Sequence, residues 1–502
     1  MPDTLERLIG ETLVFGIPGP RATPEDIRLF RKTHARGLIL YRINYRSPAQ
    51  IRRLIRDMEE ALGYRLLVTV DHEGGRVVMF QSGVTVFPDN LAFGAVGSSR
   101  GPRTQGSIEG RELRRLGIDV TFSPTVDVLT DAFSPNIGIR SYGRDPKLVA
   151  RLASARIRAI QREGLSACAK HFPGLGPATL DPHLDLPTIS VGWAELRRRH
   201  LIPFQAAIDA GVDMIMSSHP LYPTLDPRPN TPATFSQRLI TDLLRNDMGF
   251  QGVVASDDLE MGALRGLAPV GRSAVLAARA GHDLLLCCHR RDLQIQTFHS
   301  LCNAYESGEL SRTKLERSVE RIRALRAFGQ PRFAPLHVDL SGPVLARQVA
   351  AKAVTVRPGT LALPLSNKKE IHVVFPRLSE TARHIMVESE VCHARTFVKK
   401  RIPRRFHSQV DLVSLDPTPA EIRKTLTRAR ASAVTVFFCY DAHLQPGNRH
   451  LLEALQIQHQ PLVLVLMRDP YDMEFARPST TVVTAFGYRQ AQLEACMRKI
   501  FC

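Results

Sequence analysis

The chain opens on a repeating pattern of short apolar runs separated by amphipathic stretches. The runs are LVFGIPG (13–19), GLILYR (37–42), LLVTVDHEGG (66–75), IDVTFSPTVDV (118–128), LSACAKHFPG (165–174), MIMSSH (214–219), GVVASDDL (252–259) and HDLLLCC (282–288). Each is close to continuously apolar, as a strand buried on both faces must be. The spacers carry helical periodicity. In SPAQIRRLIRDMEEALG, Ser47 is placed to cap, Pro48 fits the first turn, and Gly63 ends the helix. Between them Ile51, Leu54, Ile55, Met58 and Leu62 form one apolar face. Eight such units within residues 1–328 predict a (β/α)8 TIM-like barrel. A doubly wound open sheet is the competing arrangement, and its GxGxxG phosphate loop is absent.

The polar residues favour one end of the runs. Asp71, Asp127, Lys170 with His171, His219 and Asp257 all stand at C-terminal strand ends, which a barrel gathers on one face. A proline-punctuated linker is expected over 329–343. Beyond it, EIHVVF (370–375), AVTVFFCY (433–440), PLVLVLM (461–467) and TVVTAF (481–486) predict a smaller α/β domain over 344–502, sandwich-like and with a mostly parallel sheet.

At 502 residues the chain is too long for one ordinary core, which agrees with two domains. No apolar run approaches the roughly 18 to 20 residues that span a bilayer. The start, MPDTLERLIGETLVF, lacks the basic region and apolar core of a secretory signal, so a cytoplasmic location is expected. Cys168, Cys287, Cys288, Cys302, Cys392, Cys439, Cys496 and Cys502 form no CxxC pair and read as reduced thiols. CCHR at 287–290 reads as a strand end, since adjacent cysteines rarely reach one ion together. A net charge of +18 raises the question of nucleic acid. The densest basic run, VKKRIPRRFH (398–407), reads as a solvated loop without interleaved aromatic residues, and no specific nucleic-acid partner is expected.

Several residues have both a bland and a chemical reading. In VVASDDLEMGAL, Ser256, Asp257 or Asp258 can cap a helix, or one aspartate can act as nucleophile or base in the barrel mouth. Asp71 in VTVDHEGG can satisfy turn amides or accept bonds from sugar hydroxyls. Lys170 and His171 in KHFPG can be a strand end or fixed donors to a polyhydroxylated ligand. Asp181 and His183 stand one residue apart. A carboxylate there can bond one ring nitrogen and leave the other to exchange a proton. A bare DxH also fits an Asx-turn.

Together, VTVDHEGGRV, TFSPTVDV, IGIRSYGRDP, KHFPGLG, LDPH, YPTLDPRP and VVASDDLEMGAL closely resemble glycoside hydrolase family 3. Within it they resemble the bacterial β-N-acetylglucosaminidases of cell-wall recycling, in the family's order across residues 10 to 330. The resemblance implies a retaining two-step glycosidase in which Asp257 is the nucleophile, His183 the general acid/base and Asp181 its partner. It places Asp71, Arg140, Lys170 and His171 on the terminal N-acetylglucosamine. It implies a small carbohydrate substrate, a muropeptide or disaccharide, and no metal or organic cofactor. The chain departs from the pattern at Leu175, where the loop is commonly KHFPGHG, and at Met79, where an arginine often follows EGGRV. The alternatives are a phosphorolytic enzyme, a β-glucosidase of the same family, or a non-catalytic carbohydrate- or nucleic-acid-binding protein. The role of the second domain and the oligomeric state are left open.

Overall fold

The structure is a computed structural model that describes residues 4–132, 134–178, 186–326, 333, 340–366, 370–383, 387–458 and 460–502. Eight parallel strands close into a barrel in sequence order: β1 (Leu13–Phe15), β2 (Gly37–Leu40), β3 (Leu67–Val70), β4 (Val120–Thr121), β5 (Ser166–Phe172), β6 (Met214–Ser217), β7 (Val253–Asp258) and β8 (Leu284–Cys287). Each lies inside one of the apolar runs. Their continuous hydrophobicity follows from alternation across the strand. Val14, Ile39, Leu67, Val120, Cys168, Met214, Val253 and Leu284 fill the barrel interior. Their neighbours Leu13, Phe15, Leu38 and Val68 pack outward in a second core with the helices. The helix Pro48–Leu62 has the expected ends: Ser47 accepts from the Gln50 amide, and Gly63 closes it at φ 76°.

A second sheet has six strands in the order β11-β10-β12-β13-β14-β9. They are β9 (Thr355–Arg357), β10 (Glu370–Pro376), β11 (His407–Val413), β12 (Val434–Cys439), β13 (Leu462–Leu466) and β14 (Thr481–Thr484), and only β9 runs antiparallel. Apolar cores lie on both of its faces. Most of the stretch expected as a linker, 329–343, falls outside the described residues.

The basic run 398–407 is a loop only over residues 402–406. Its first part ends the helix Ala394–Arg401, where cations suit the helix C-terminus, and His407 begins β11. Phe397, Val398, Ile402 and Phe406 are buried, and Arg401 pairs with Glu390 at 2.8 Å and with Glu494. The charges cover an apolar segment and do not form a free basic arm.

Candidate active site

The strand ends converge as the barrel requires. Lys170, near the end of β5, places Nζ 2.5 Å from Asp71 Oδ1 and 2.7 Å from Glu73 Oε1. Arg140 embraces the same Glu73 in two-pronged fashion, with Nη2 2.8 Å from Oε1 and Nε 3.0 Å from Oε2. Its Nη2 also lies 3.3 Å from His171 Nε2, while His171 Nδ1 lies 2.8 Å from Asp127 Oδ2. A guanidinium can only donate, so Nε2 accepts and the ring proton sits on Nδ1, directed at Asp127. Four residues expected to hold the substrate, Asp71, Arg140, Lys170 and His171, therefore belong to one charge-assisted network.

The β5 backbone shifts register against β6 between Lys170 and Phe172, and the Lys170–His171 peptide is cis. Both side chains reach the same cluster. The turn after β3 brings Asp71 and Glu73 to one side. It needs glycine: Gly75 has φ 50°, and a Cβ there would fall 2.0 Å from Asp89 Oδ1. Behind the turn, fully buried Arg156 donates to the Glu73 carbonyl at 2.6 Å and to Glu109 at 2.6 Å. Asn90 connects Arg156 to the Arg140 carbonyl.

Electrostatics fixes the charge states of the network. Burial alone would raise the Glu73 carboxyl, but Arg140 and Lys170 outweigh it and hold Glu73 well below 4.5. Burial would likewise lower Lys170, and Asp71 and Glu73 overcome this and raise it above its ordinary value. Arg140 is raised in the same way by Glu73. His72 is pushed down to about 3, first by burial and then by Arg156, so it is a neutral wall residue.

The adjacent aspartates that end β7 divide their tasks. Asp258 is buried; its Oδ1 accepts from the Glu260 and Cys288 amides at 3.2 Å each, and its Oδ2 lies 3.2 Å from His289 Nε2. Asp257 is half-buried, and its Oδ1 accepts from the Asp258 amide at 2.9 Å. Asp258 thus holds the loops, and Asp257 is the more accessible carboxylate. His219 bonds Thr234 at 2.7 Å and the Asp258 carbonyl at 3.0 Å, bracing the same turn. Asp181 and His183 lie outside the described residues.

Leu175 and Met79 occupy different positions. Leu175 is buried, and its amide donates to Asp127 Oδ1 at 2.6 Å, so that position contributes backbone to the His171 support. Met79 lines a cavity of about 540 Å³ with Tyr41, Arg42, Ile43, Cys288 and His289. The Tyr41 and His289 rings lie 5.0 Å apart at a tilt of 33°, and His289 pairs with Asp258, so the cavity adjoins the end of β7.

Glu73 was not singled out in the sequence. Its signal was its position two residues after Asp71, obscured because EGG reads as a turn. Asp127 was visible as a strand-end carboxylate, but its partnership with His171 depends on the fold. The Asp258–His289 pair joins two strand ends and has no local signature.

A closed parallel barrel whose mouth holds paired carboxylates, fixed cations and an accessible aspartate defines a barrel enzyme suited to a polyhydroxylated substrate. Residues 5–325 match the family model described as glycosyl hydrolase family 3 N terminal domain, and the chain belongs to that family and is a glycosidase. It is 33% identical over 320 residues to a beta-hexosaminidase of Nitrosomonas eutropha, covering 62% of this chain and 90% of the relative. It is 36% identical over 281 residues to a beta-hexosaminidase of Neisseria meningitidis serogroup C, covering 54% and 76%. A solved glycoside hydrolase family 3 beta-N-acetylglucosaminidase from Paenibacillus sp. strain FPU-7 superposes with a TM-score of 0.92 at 31% identity, covering 100% of this chain and 98% of that one. No helix among the described residues is long and apolar enough to cross a membrane.

Proposed function

We propose that this glycosidase removes β-linked terminal N-acetylglucosamine with retention of configuration, and that its substrates are peptidoglycan fragments met in the cytoplasm. The observation that carries the reading is the Asp71–Lys170–Glu73–Arg140–His171–Asp127 network at the barrel mouth. It offers fixed, charged donors and acceptors to a non-reducing sugar. Such preorganised groups hold the ring against Asp257 without rearranging during the reaction.

In this mechanism a carboxylate oxygen of Asp257 attacks the anomeric carbon as the glycosidic bond breaks, and the His183 imidazolium protonates the departing oxygen. Asp181 orients the imidazole and favours its protonated form. Neutral His183 then takes a proton from water, whose oxygen attacks the anomeric carbon and releases Asp257. Two inversions give net retention. The cavity lined by Tyr41, Arg42, Met79 and His289 supplies apolar surface and cationic groups for the aglycone, which suits a fragment bearing carboxylates.

The test is a panel of aryl β-N-acetylglucosaminide, aryl β-glucoside and an N-acetylglucosamine-containing disaccharide, each with and without phosphate. The expected result is fastest release from the N-acetylglucosaminide and free sugar as product in both conditions. A sugar-1-phosphate as the main product would replace hydrolysis with phosphorolysis, and a faster glucoside would replace the substrate. In the same assay Asp257→Ala abolishes turnover. His183→Ala loses more rate on the disaccharide than on an aryl glycoside, whose leaving group needs no proton; equal losses would remove His183 as the acid.

A further inference from the structure

We propose that the second sheet carries a divalent-cation site, formed by Asp441, His443 and Asp469 and seated against the barrel. β12 and β13 are parallel neighbours, so the residues that follow them emerge side by side. One ligand atom from each of Asp441, His443 and Asp469 lies within 4.8 Å of the others. That spacing suits three ligands at about 2.0–2.4 Å from a shared ion. His443 is held for such a role: Nδ1 bonds Asp472 Oδ1 at 2.7 Å, and Asp472 Oδ2 also accepts from the Ala442 amide at 2.7 Å. An outer carboxylate on the second ring nitrogen is the usual support of a metal-bound histidine.

An independent observation concerns the two aspartates. They are 1% and 2% exposed, and Oδ1 of each has no hydrogen-bond partner among the described residues. Buried carboxylate oxygens without donors are costly, and a structure that retains two of them side by side has a use for them. Arg468 contributes one ion pair to each, with Nη1 2.5 Å from Asp441 Oδ2 and Nη2 3.4 Å from Asp469 Oδ2. The oxygen of Asp469 that Arg468 does not engage faces the barrel: a Cβ on Gly138 would fall 2.8 Å from Oδ1. Gly138 begins the short turn that ends in Arg140, so the site adjoins the backbone carrying that guanidinium.

Three carboxyl groups, Asp441, Asp469 and Asp472, meet one guanidinium, Arg468, and one imidazole, His443. Two carboxylates and an imidazole suit Zn2+ or Mn2+ better than Mg2+ or Ca2+, which favour all-oxygen sets.

The experiment uses the full chain, stripped with chelator and titrated calorimetrically with ZnCl2 and, separately, MnCl2, with melting temperature followed in parallel. One equivalent of at least one ion is expected to bind, raising the melting temperature by about 3 °C or more at saturation. Asp441→Asn/Asp469→Asn, nearly isosteric, is expected to weaken binding at least 100-fold and lose the thermal increment. His443→Gln, which keeps both carboxylates, weakens it at least tenfold and serves where the double variant does not fold. His183→Ala is expected to bind as the parent does, which separates this site from the barrel mouth. Absence of stoichiometric binding, binding as tight as the parent's in the Asp441/Asp469 and His443 variants, or loss of all binding in His183→Ala would overturn the proposal.

Discussion

At the scale of single residues, Glu73 carries the most consequence. It accepts from Arg140 and Lys170 at once, and both cations pull its carboxyl well below 4.5 against the opposing effect of burial. Asp71 was legible as a carboxylate at a strand end. Glu73 was not, because its role depends on a cation more than 60 residues away and another nearly 100 away. The depressed folded-state value makes its stabilisation pH-dependent. Above pH 4.5 the carboxyl is ionised in folded and unfolded chains alike, and the full contribution is present. Below 4.5 the unfolded chain takes up the proton first, and the contribution drains as pH falls towards the folded value. Glu73→Gln has no such proton uptake. The melting-temperature gap between parent and variant should therefore be widest above pH 5. It should narrow as pH falls from 4.5 to 3, the underlying stability difference shrinking by up to roughly 1.4 kcal/mol per pH unit. A gap independent of pH in thermal melts would remove the ionised Glu73 from the network.

At the scale of elements, the barrel strands were legible because burial on both faces makes them continuously apolar, and four strands of the second sheet for the same reason. β9 and β11 were missed. β9 is three residues long and partly exposed, and β11 mixes His407, Gln409 and Asp411 into an edge strand directly after a dense basic run. Such segments lack the apolar run that marks a central strand. The loop after β5 was legible as chemistry but not as packing. Leu175 and Gly176 lie against the chain that follows β4, where Leu175 N bonds Asp127 and a Cβ on Gly176 would fall 1.7 Å from the Val128 carbonyl oxygen. Neither backbone can yield cheaply. Gly176→Ala should cost about 1–3 kcal/mol of stability, the usual range for overpacking. It should also raise KM by pushing the loop away from Asp127 and loosening His171. Thermal melts and a KM measurement check this, and an unchanged melting temperature would show that the loop has room to move.

At the scale of the whole molecule, the second sheet reaches the loop that bears the barrel's carboxylates, which the sequence left undecided. Arg489, 1% exposed and at the start of the helix Gln490–Phe501, donates through Nε to the Gly75 carbonyl at 2.6 Å and pairs with Glu388 at 3.3 Å. Gly75 follows Glu73 by two residues, so a contact spanning 414 positions bears on the turn that presents Asp71 and Glu73. Residues so distant in sequence share no periodicity or local motif. Each half can be recognised alone while their junction stays hidden. Arg489→Lys keeps the charge but loses the guanidinium's planar set of donors, leaving the Gly75 carbonyl weakly engaged. Removing such a buried partner costs about 1–3 kcal/mol. If the junction also holds the turn in place, KM should rise several-fold while kcat falls less, because Asp257 is carried by β7 and is not part of this contact. Steady-state kinetics beside a thermal melt separates the two roles. A lower melting temperature with unchanged KM would make the junction a structural contact alone, whereas a parallel rise in KM would make the second sheet a positioning element for the sugar-binding turn.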